Sequence, residues 1–229
     1  MSRAPVIAID GPSGSGKGTV SRLVADALGW HLLDSGALYR LTALAGSRAR
    51  LAPDDEAGHA RVALAMDVRF RMAPDGAERI LLDDTDVSRA IRTEAAGERA
   101  SAVAAFPAVR AALLDRQRRF AEGPGLVADG RDMGSVVFPD AVLKVYLTAS
   151  VAERAERRYR QLAASGLPVR LEDVTREISA RDARDSSRAV SPLVAAPGAV
   201  VVDSTGMPVE AVVARVLELA AVRGLHAGP

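Results

Sequence analysis

A glycine-rich segment near the amino terminus has the composition needed to bind a chain of phosphates. This segment, the phosphate loop, comprises Gly11, Pro12, Ser13, Gly14, Ser15, Gly16, Lys17, Gly18 and Thr19. It follows the apolar stretch 6–9 directly and opens a helical pattern of apolar residues. Glycines let backbone N–H groups converge on phosphate oxygens, a helix amino end adds partial positive charge, and Lys17 can reach the outer phosphates. The pattern predicts a nucleotide-binding loop rather than an empty glycine-rich turn.

The phosphate loop leaves the choice of a metal ligand open. In the common form of such loops a serine or threonine follows the lysine, whereas here Gly18 intervenes and the hydroxyl arrives at Thr19. A Mg²⁺ ion bound with a nucleotide would therefore take Thr19, water or a distant carboxylate. Asp129, which ends the apolar stretch 126–128, supplies such a carboxylate. Two roles stay open for Asp129, since it could face the loop or merely cap the next turn.

Two further polar segments follow predicted strands, at the strand end where open α/β sheets bind ligands. They contain Ser35 and Arg40 after strand 31–33, and Arg131 and Asp132 after strand 126–128. Phosphoryl transfer depends on positioning and charge neutralisation, so arginines from several segments are expected around the reacting phosphates. The alternative for Arg131 and Asp132 is a local ion pair, which contributes little where it is exposed.

A stripe along one predicted helix begins apolar and becomes charged. Its members are Leu171, Val174, Ile178, Arg181, Asp185 and Arg188. A helix whose core-facing stripe becomes charged is expected to leave the core and run over a cleft. The alternative is that Arg181 and Asp185 form only a surface ion pair.

Short apolar strands alternate with helices along most of the chain. Strands are predicted at residues 6–9, 31–33, 126–128, 142–147 and 199–202, and helices at 19–28, 94–120, 153–164, 171–188 and 209–220. Near-continuous apolar strands of this kind predict a parallel sheet covered by helices on both faces. An antiparallel hairpin is predicted at 67–83, with its turn at 74–76.

Length and composition exclude several other classes of protein. The 229 residues are 48 % hydrophobic and 26 % charged, which fits one α/β domain with embellishments or two small ones. The net charge of +1 gives no general attraction to nucleic acid or to a membrane surface. The absence of cysteine excludes thiolate chemistry, and the absence of asparagine disfavours a guanine-nucleotide switch, which needs an Asn-Lys-x-Asp element. No hydrophobic signal core precedes the first strand, so we expect a cytoplasmic protein.

Taken together, these motifs resemble those of the bacterial cytidylate kinases, within the nucleoside monophosphate kinase family. The segments that carry the resemblance are 9–19, 33–40, 103–107, 128–134, 137–140 and 181–188. The phosphate loop is shared by many kinases. The elements Asp-Gly-Arg-Asp-Met-Gly at 129–134 and Arg-Asp-Ala-Arg-Asp-Ser-Ser-Arg at 181–188 are much more specific.

The resemblance implies a fold and the division of that fold into a core, an insert and a lid. The fold would be an α/β P-loop kinase in which helices flank a five-stranded parallel sheet, with a small antiparallel insert lobe and a short helical lid. The single domain 1–229 would have its core at 1–62, 107–153 and 190–229, its monophosphate-binding insert at 63–106 and its lid at 154–189. The hairpin at 67–83 fits the insert.

The resemblance also implies an activity and its residues. MgATP would donate its γ-phosphoryl group to CMP or dCMP, and the chain would act as a monomer. The catalytic residues would be Lys17, Asp129, Arg131 and Arg188, with Thr19 and Asp129 near Mg²⁺, directly or through water. The acceptor would contact Ser35, with Ser101, Arg110 and Asp132 at the base, Arg181 and Asp185 at the sugar, and Arg40, Arg131 and Arg188 at the phosphate. Lid arginines among Arg154, Arg158, Arg184 and Arg188 would close over the transferring group.

Three alternatives remain on the sequence alone. The acceptor could be UMP or a metabolite that is not a nucleotide, because such kinases share the phosphate loop and differ in the acceptor pocket. The protein could be an ATPase without an acceptor. It could also be a regulator that binds ATP and transfers nothing.

Overall fold

The computed structural model describes residues 4–72, 78–164, 166, 168–188 and 190–227. The described residues form two compact units, one containing the chain up to Asp34 and from Arg118 onward, the other Ser35–Gln117. The strands are β1 Val6–Asp10, β2 His31–Asp34, β3 Val68–Met72, β4 Glu78–Leu82, β5 Thr85–Asp86, β6 Leu126–Gly130, β7 Leu143–Thr148 and β8 Val200–Asp203. The helices are α1 Lys17–Leu28, α2 Ser35–Arg48, α3 Glu56–Ala65, α4 Glu94–Val103, α5 Pro107–Arg118, α6 Val151–Ala164, α7 Leu171–Ser186 and α8 Val209–Ala221.

The first unit is built on a parallel sheet in the order β2-β6-β1-β7-β8. Every residue of β1 and β6 is buried, which explains why both central strands are continuous apolar runs. Apolar residues of α1 and α8 join β1 and β7 in one core cluster. The predicted parallel sheet with flanking helices is confirmed.

The register of the sheet brings the carboxyl ends of several strands to one edge. Asp10 lies beside Gly130, and Asp34 lies beside Asp129. Asp10 and Asp34 thus end β1 and β2, and Asp129 is the penultimate residue of β6 between them. All three lie at the edge from which the loops of an open α/β sheet reach a ligand.

Helices α6 and α7 also belong to the first unit. The backbone N–H of Glu153 donates to Ser150 Oγ over 3.2 Å, as expected for the predicted helix start. Ala155 of α6 packs with Val174 and Ile178 of α7 in a small apolar cluster. In the described part of the chain, no helix is long and apolar enough to cross a membrane.

The second unit carries an antiparallel sheet in the order β3-β4-β5. The predicted hairpin is confirmed, with Phe70 opposite Ile80, while its predicted turn at 74–76 lies outside the described residues. The single helix predicted over 94–120 is wrong, because α4 ends at Val103 and α5 begins at Pro107. Proline lacks an N–H donor and disfavours a helical residue before it, so it starts a new helix here.

Candidate active site

The phosphate loop has a backbone that requires glycine at specific positions. Gly16 adopts the left-handed φ of 85° immediately before α1. A side chain on Gly11 would place its Cβ 2.0 Å from the carbonyl oxygen of Leu147, so the loop lies directly against β7. Gly16 offers no side-chain cap to α1, so an anion can take that role at the helix amino end.

Two arginines of α6 bind carbonyl oxygens of the phosphate loop. Arg154 donates from Nη1 to Ser13 over 3.0 Å, and Arg157 donates from Nη1 to Ser15 over 3.3 Å. These bonds hold carbonyl dipoles of the loop against cations.

Arg154 also has acceptors outside the loop. Its side chain is only 4 % exposed, and it donates to the carbonyl of Ala149 over 3.0 Å and to Asp182 of α7 over 2.6 Å. Arg154 therefore supports the phosphate loop in this structure, in contrast to the expectation that it belongs with the arginines closing over the transferring group.

Lys17 and Asp129 are oppositely charged groups of the first unit, and each affects the pKa of the other. Burial and the charge of Arg131 lower the pKa of Lys17 to about 8, while Asp129 opposes that shift. Burial raises the pKa of Asp129, and Lys17 favours its ionised form. The lysine Nζ also donates to the carbonyl of Pro12 over 3.3 Å.

Asp129 faces the phosphate loop. Its Oδ2 lies 3.4 Å from where a Cβ on Gly18 would stand, which is van der Waals distance and places the carboxylate directly beside the loop. Its Oδ1 is buried and has no hydrogen-bond partner among the described residues. Of the two roles that the sequence left open, the geometry favours the carboxylate that faces the loop over the cap.

These groups fit a metal ion that a nucleotide brings with it. The described residues contain no cluster of three or more His, Cys, Asp or Glu side chains that could hold a metal alone. Asp129 has an unbonded buried oxygen, and Thr19 is exposed at the start of α1. Mg²⁺ characteristically takes one or two protein oxygens, water and phosphate oxygens, which agrees with this sparse set.

Arg131, Asp185 and Arg188 meet in one buried cluster. Asp185 of α7, with a side chain 2 % exposed, accepts from Arg131 Nε over 3.1 Å and from Arg188. Burial opposes ionisation of Asp185, but the charges of Arg131 and Arg188 outweigh it and hold the pKa of that carboxyl below its usual value. Arg181 adds a further positive charge. The surface pair considered as an alternative is thus wrong, because Asp185 is buried and bonds to two other arginines.

Asp10 is a site residue that the sequence reasoning missed. It is 3 % exposed, and its two oxygens accept the N–H groups of Met133 and Gly134, each over 2.8 Å. Burial raises the pKa of Asp10 to about 6, against the opposing effect of those two bonds. The available signal was a carboxylate at the end of a fully buried strand.

Asp132 lies in the segment that Asp10 binds. It precedes a short π-helical turn, Met133–Val137, and makes no side-chain cap to it. Asp132 is 2 % exposed. Its burial disfavours the predicted alternative of an exposed local pair with Arg131.

The remaining acceptor candidates lie in the second unit, on three of its helices. Arg40 of α2 donates to the carbonyls of Ile91 over 2.7 Å and Thr93 over 3.1 Å. Arg110 of α5 is 9 % exposed and stacks over the ring of Tyr39, with Cζ 5.7 Å from the ring centre. Ser35 and Ser101 are buried, at the start of α2 and within α4. These side chains are held in defined orientations within their own unit.

A parallel sheet, a lysine-bearing loop that opens α1, and an aspartate at the end of a neighbouring strand beside that loop define the class of P-loop nucleotide-binding proteins. Within that class, the family model "Cytidylate kinase" matches residues 7–222. The chain therefore belongs to the cytidylate kinase family, whose members phosphorylate nucleoside monophosphates with ATP.

Curated relatives agree with this assignment over nearly their whole length. A cytidylate kinase of Marinomonas sp. (strain MWYL1) is 52 % identical over 225 residues, covering 98 % of this chain and 99 % of the relative. One from Aeromonas salmonicida (strain A449) is 54 % identical over 217 residues, covering 95 % and 94 %. One from Edwardsiella ictaluri (strain 93-146) is 55 % identical over 213 residues, covering 93 % and 94 %.

Proposed function

We propose that this enzyme transfers the γ-phosphoryl group of MgATP to CMP or dCMP, giving ADP and CDP or dCDP. The observation that carries the proposal is the pairing, within the first unit, of a donor centre at Lys17 and Asp129 with an acceptor cluster at Arg131, Asp185 and Arg188. The names of the relatives supply the acceptor base.

On the donor side, loop N–H groups and Lys17 hold the β- and γ-phosphates. Asp129 and Thr19, directly or through water, hold Mg²⁺, which neutralises phosphate charge when it is bound. Beside the loop is a cleft of about 290 Å³, whose walls include Gly16, Arg157, Met207 and Val212. Its mixture of apolar side chains and polar groups suits the adenine of ATP.

On the acceptor side, Arg131 and Arg188 bind the monophosphate together with Arg40. Three arginines at 131, 181 and 188 face the single carboxylate of Asp185, so this cluster has positive charge to spare for a phosphate dianion. Arg181 and Asp185 then hold the sugar.

Three side chains read the base. Asp132 accepts from the exocyclic amine that distinguishes cytosine from uracil. Arg110 donates to the carbonyl, and Ser101 bonds to the base edge. Ser35 completes the acceptor set.

The reaction needs no general base. An oxygen of the acceptor phosphate, already anionic, attacks the γ-phosphorus of ATP while the bond to the β–γ bridging oxygen breaks and its electrons leave with ADP. Lys17, Arg131 and Arg188 neutralise the charge on the transferring group. Exclusion of water prevents hydrolysis from competing with transfer.

We also propose roles for two segments. Residues 63–106, within the second unit, form the monophosphate-binding insert, and residues 154–189, within the first, form the lid. The enzyme acts as a monomer in this account.

Transfer of label tests the reaction type. With γ-labelled ATP and CMP, label is expected in CDP and not in inorganic phosphate. Label released as phosphate whether or not CMP is added would indicate an ATPase. Bound ATP with no transfer to any acceptor would indicate a regulator instead.

A further inference from the structure

The proposed function gives no role to Asp10. Asp10 nevertheless forms hydrogen bonds with the segment that contains Arg131 and Asp132, both of which have proposed roles. Its carboxylate ends β1, 123 residues away along the chain from Met133. Its two oxygens accept two consecutive backbone N–H groups, those of Met133 and Gly134. Arg131 and Asp132 immediately precede these residues.

The bonds from Asp10 replace a cap that Asp132 could otherwise supply. An aspartate just before a helical turn commonly accepts N–H groups of that turn with its own side chain. Asp132 stands in that position, but it makes no such bond and has φ −145° and ψ 25°. Asp10 provides the acceptors for the N–H groups of Met133 and Gly134 from the neighbouring strand.

The strand pairing makes this arrangement rigid. Asp10 lies opposite Gly130 in the β1–β6 ladder, so the residues before and after the turn at 131–132 are both tied to β1. Both ends of the turn are therefore fixed relative to a fully buried central strand.

We propose that Asp10 is a positioning residue for acceptor selection, which aims Asp132 at the base by binding the amides of Met133 and Gly134. This inference rests on the proposed reading of cytosine by Asp132. Asp10 itself does not touch the substrate.

The test is the selectivity of Asp10→Asn for CMP over UMP. An amide keeps the size of the side chain but presents an NH₂ group to one of two N–H donors, so one bond is lost and the turn shifts. We expect kcat/KM for CMP to fall roughly ten- to a hundredfold, as small misplacements of binding groups can cause. The value for UMP should change much less, and the KM for ATP should stay within about twofold of normal.

Asp203→Asn is the matched control. Asp203 also ends a strand of the same sheet, and its Oδ1 accepts the N–H of Thr205 over 2.9 Å. This variant makes the same chemical change on a different loop. The ratio of its kcat/KM for CMP to its kcat/KM for UMP should therefore equal that of the unmodified enzyme. A comparable fall in the ratio for Asp203→Asn would overturn the specific role of Asp10.

Asp132→Ala separates the inference from the function beneath it. If Asp132→Ala lowers the CMP to UMP ratio and folded Asp10→Asn does not, Asp10 has no positioning role although the base reading stands. If Asp132→Ala leaves the ratio unchanged, the base reading fails and the inference fails with it.

Two further measurements cover the case in which Asp10→Asn does not fold. Asp10→Glu keeps both acceptor oxygens but moves them by one methylene, and it should also lower the ratio. In the unmodified enzyme, NMR couplings across the hydrogen bonds should link the amide nitrogens of Met133 and Gly134 to the Asp10 carboxylate. An unchanged ratio in Asp10→Glu, or missing couplings, would contradict the proposal.

Discussion

At the scale of single residues, Lys17 and Lys144 provide a direct comparison because they are the only lysines in the chain. The Lys17 ammonium is desolvated beside Asp129, whereas Lys144 Nζ donates to the carbonyl of Pro197 over 3.4 Å. Only Lys17 lies in the phosphate loop, so the two lysines should differ sharply in their effect on catalysis.

Lys17→Met should lose about 3 kcal/mol or more of transition-state stabilisation, which is over a hundredfold in kcat/KM, because methionine keeps the stem and removes the charge. Steady-state kinetics with ATP and CMP measure the loss. Lys144→Met, the control, should stay near normal. Turnover of Lys17→Met close to that of the control would rule out the phosphate-loop role.

The raised pKa of Asp10 predicts that the stability of the protein depends on pH. Burial raises its pKa from 3.8 to about 6, so the folded state binds the proton more tightly than the unfolded state does. Stability from this group is therefore greatest below pH 3.8 and falls as the pH rises to about 6. Ionised Asp10 lowers stability, which is typical of a residue kept for function.

Denaturant unfolding of the unmodified protein and Asp10→Asn across this range measures the effect. The free energy of unfolding of the unmodified protein, relative to the variant, should fall by about 2 kcal/mol between pH 4 and pH 6. It should level off above about pH 7. A difference that is constant with pH would show that the pKa of Asp10 is not raised.

At the scale of elements, the contacts between α7 and α6 include a buried ion pair and a small apolar cluster. The pair between Arg154 and Asp182 has side chains 4 % and 21 % exposed, and Arg154 also holds the Ser13 carbonyl. The packing of α7 on α6 and the shape of the phosphate loop therefore depend on the same guanidinium.

Asp182→Asn should lower the free energy of unfolding by about 2–3 kcal/mol, because it leaves a buried arginine without its counter-charge. Thermal or denaturant unfolding measures this. Glu218→Gln, which breaks the exposed pair with Arg215 on α8, is the control and should cost at most about 0.5 kcal/mol. Equal effects from the two variants would contradict a structural role for Asp182.

The strands and most helices could be predicted because their patterns are local. Buried parallel strands such as β1 and β6 begin with apolar runs, and a glycine of left-handed φ, Gly29, ends α1. The break within the stretch 94–120 was not predicted, although Pro107 was itself a local signal for it.

The site was less predictable because several of its contacts join distant segments. Neither the bond from Asp10 to Met133 nor that from Arg154 to Ser13 has a signal in residue spacing. Residue type suggested Arg131, Asp132 and Asp185 as binding groups. Only the structure shows that Asp185 lies between two arginines, which depends on how α7 packs on α6 and approaches Arg131 after β6.

At the scale of the whole molecule, charge is balanced globally and concentrated locally. The chain has 30 basic and 29 acidic residues, yet arginines outnumber carboxylates around Asp185. Such a distribution suits small phosphorylated ligands, which are recognised by local groups, better than a polyanion attracted by a general field. The charge distribution thus fits an enzyme with two small phosphorylated substrates.

The choice of acceptor tests the proposed transfer from MgATP to CMP or dCMP. ADP formation from MgATP should be measured in a coupled assay with CMP, dCMP, UMP, AMP, GMP and no acceptor in parallel. Activity should be confined largely to CMP and dCMP. Equal ADP formation with UMP, or without any acceptor, would contradict it.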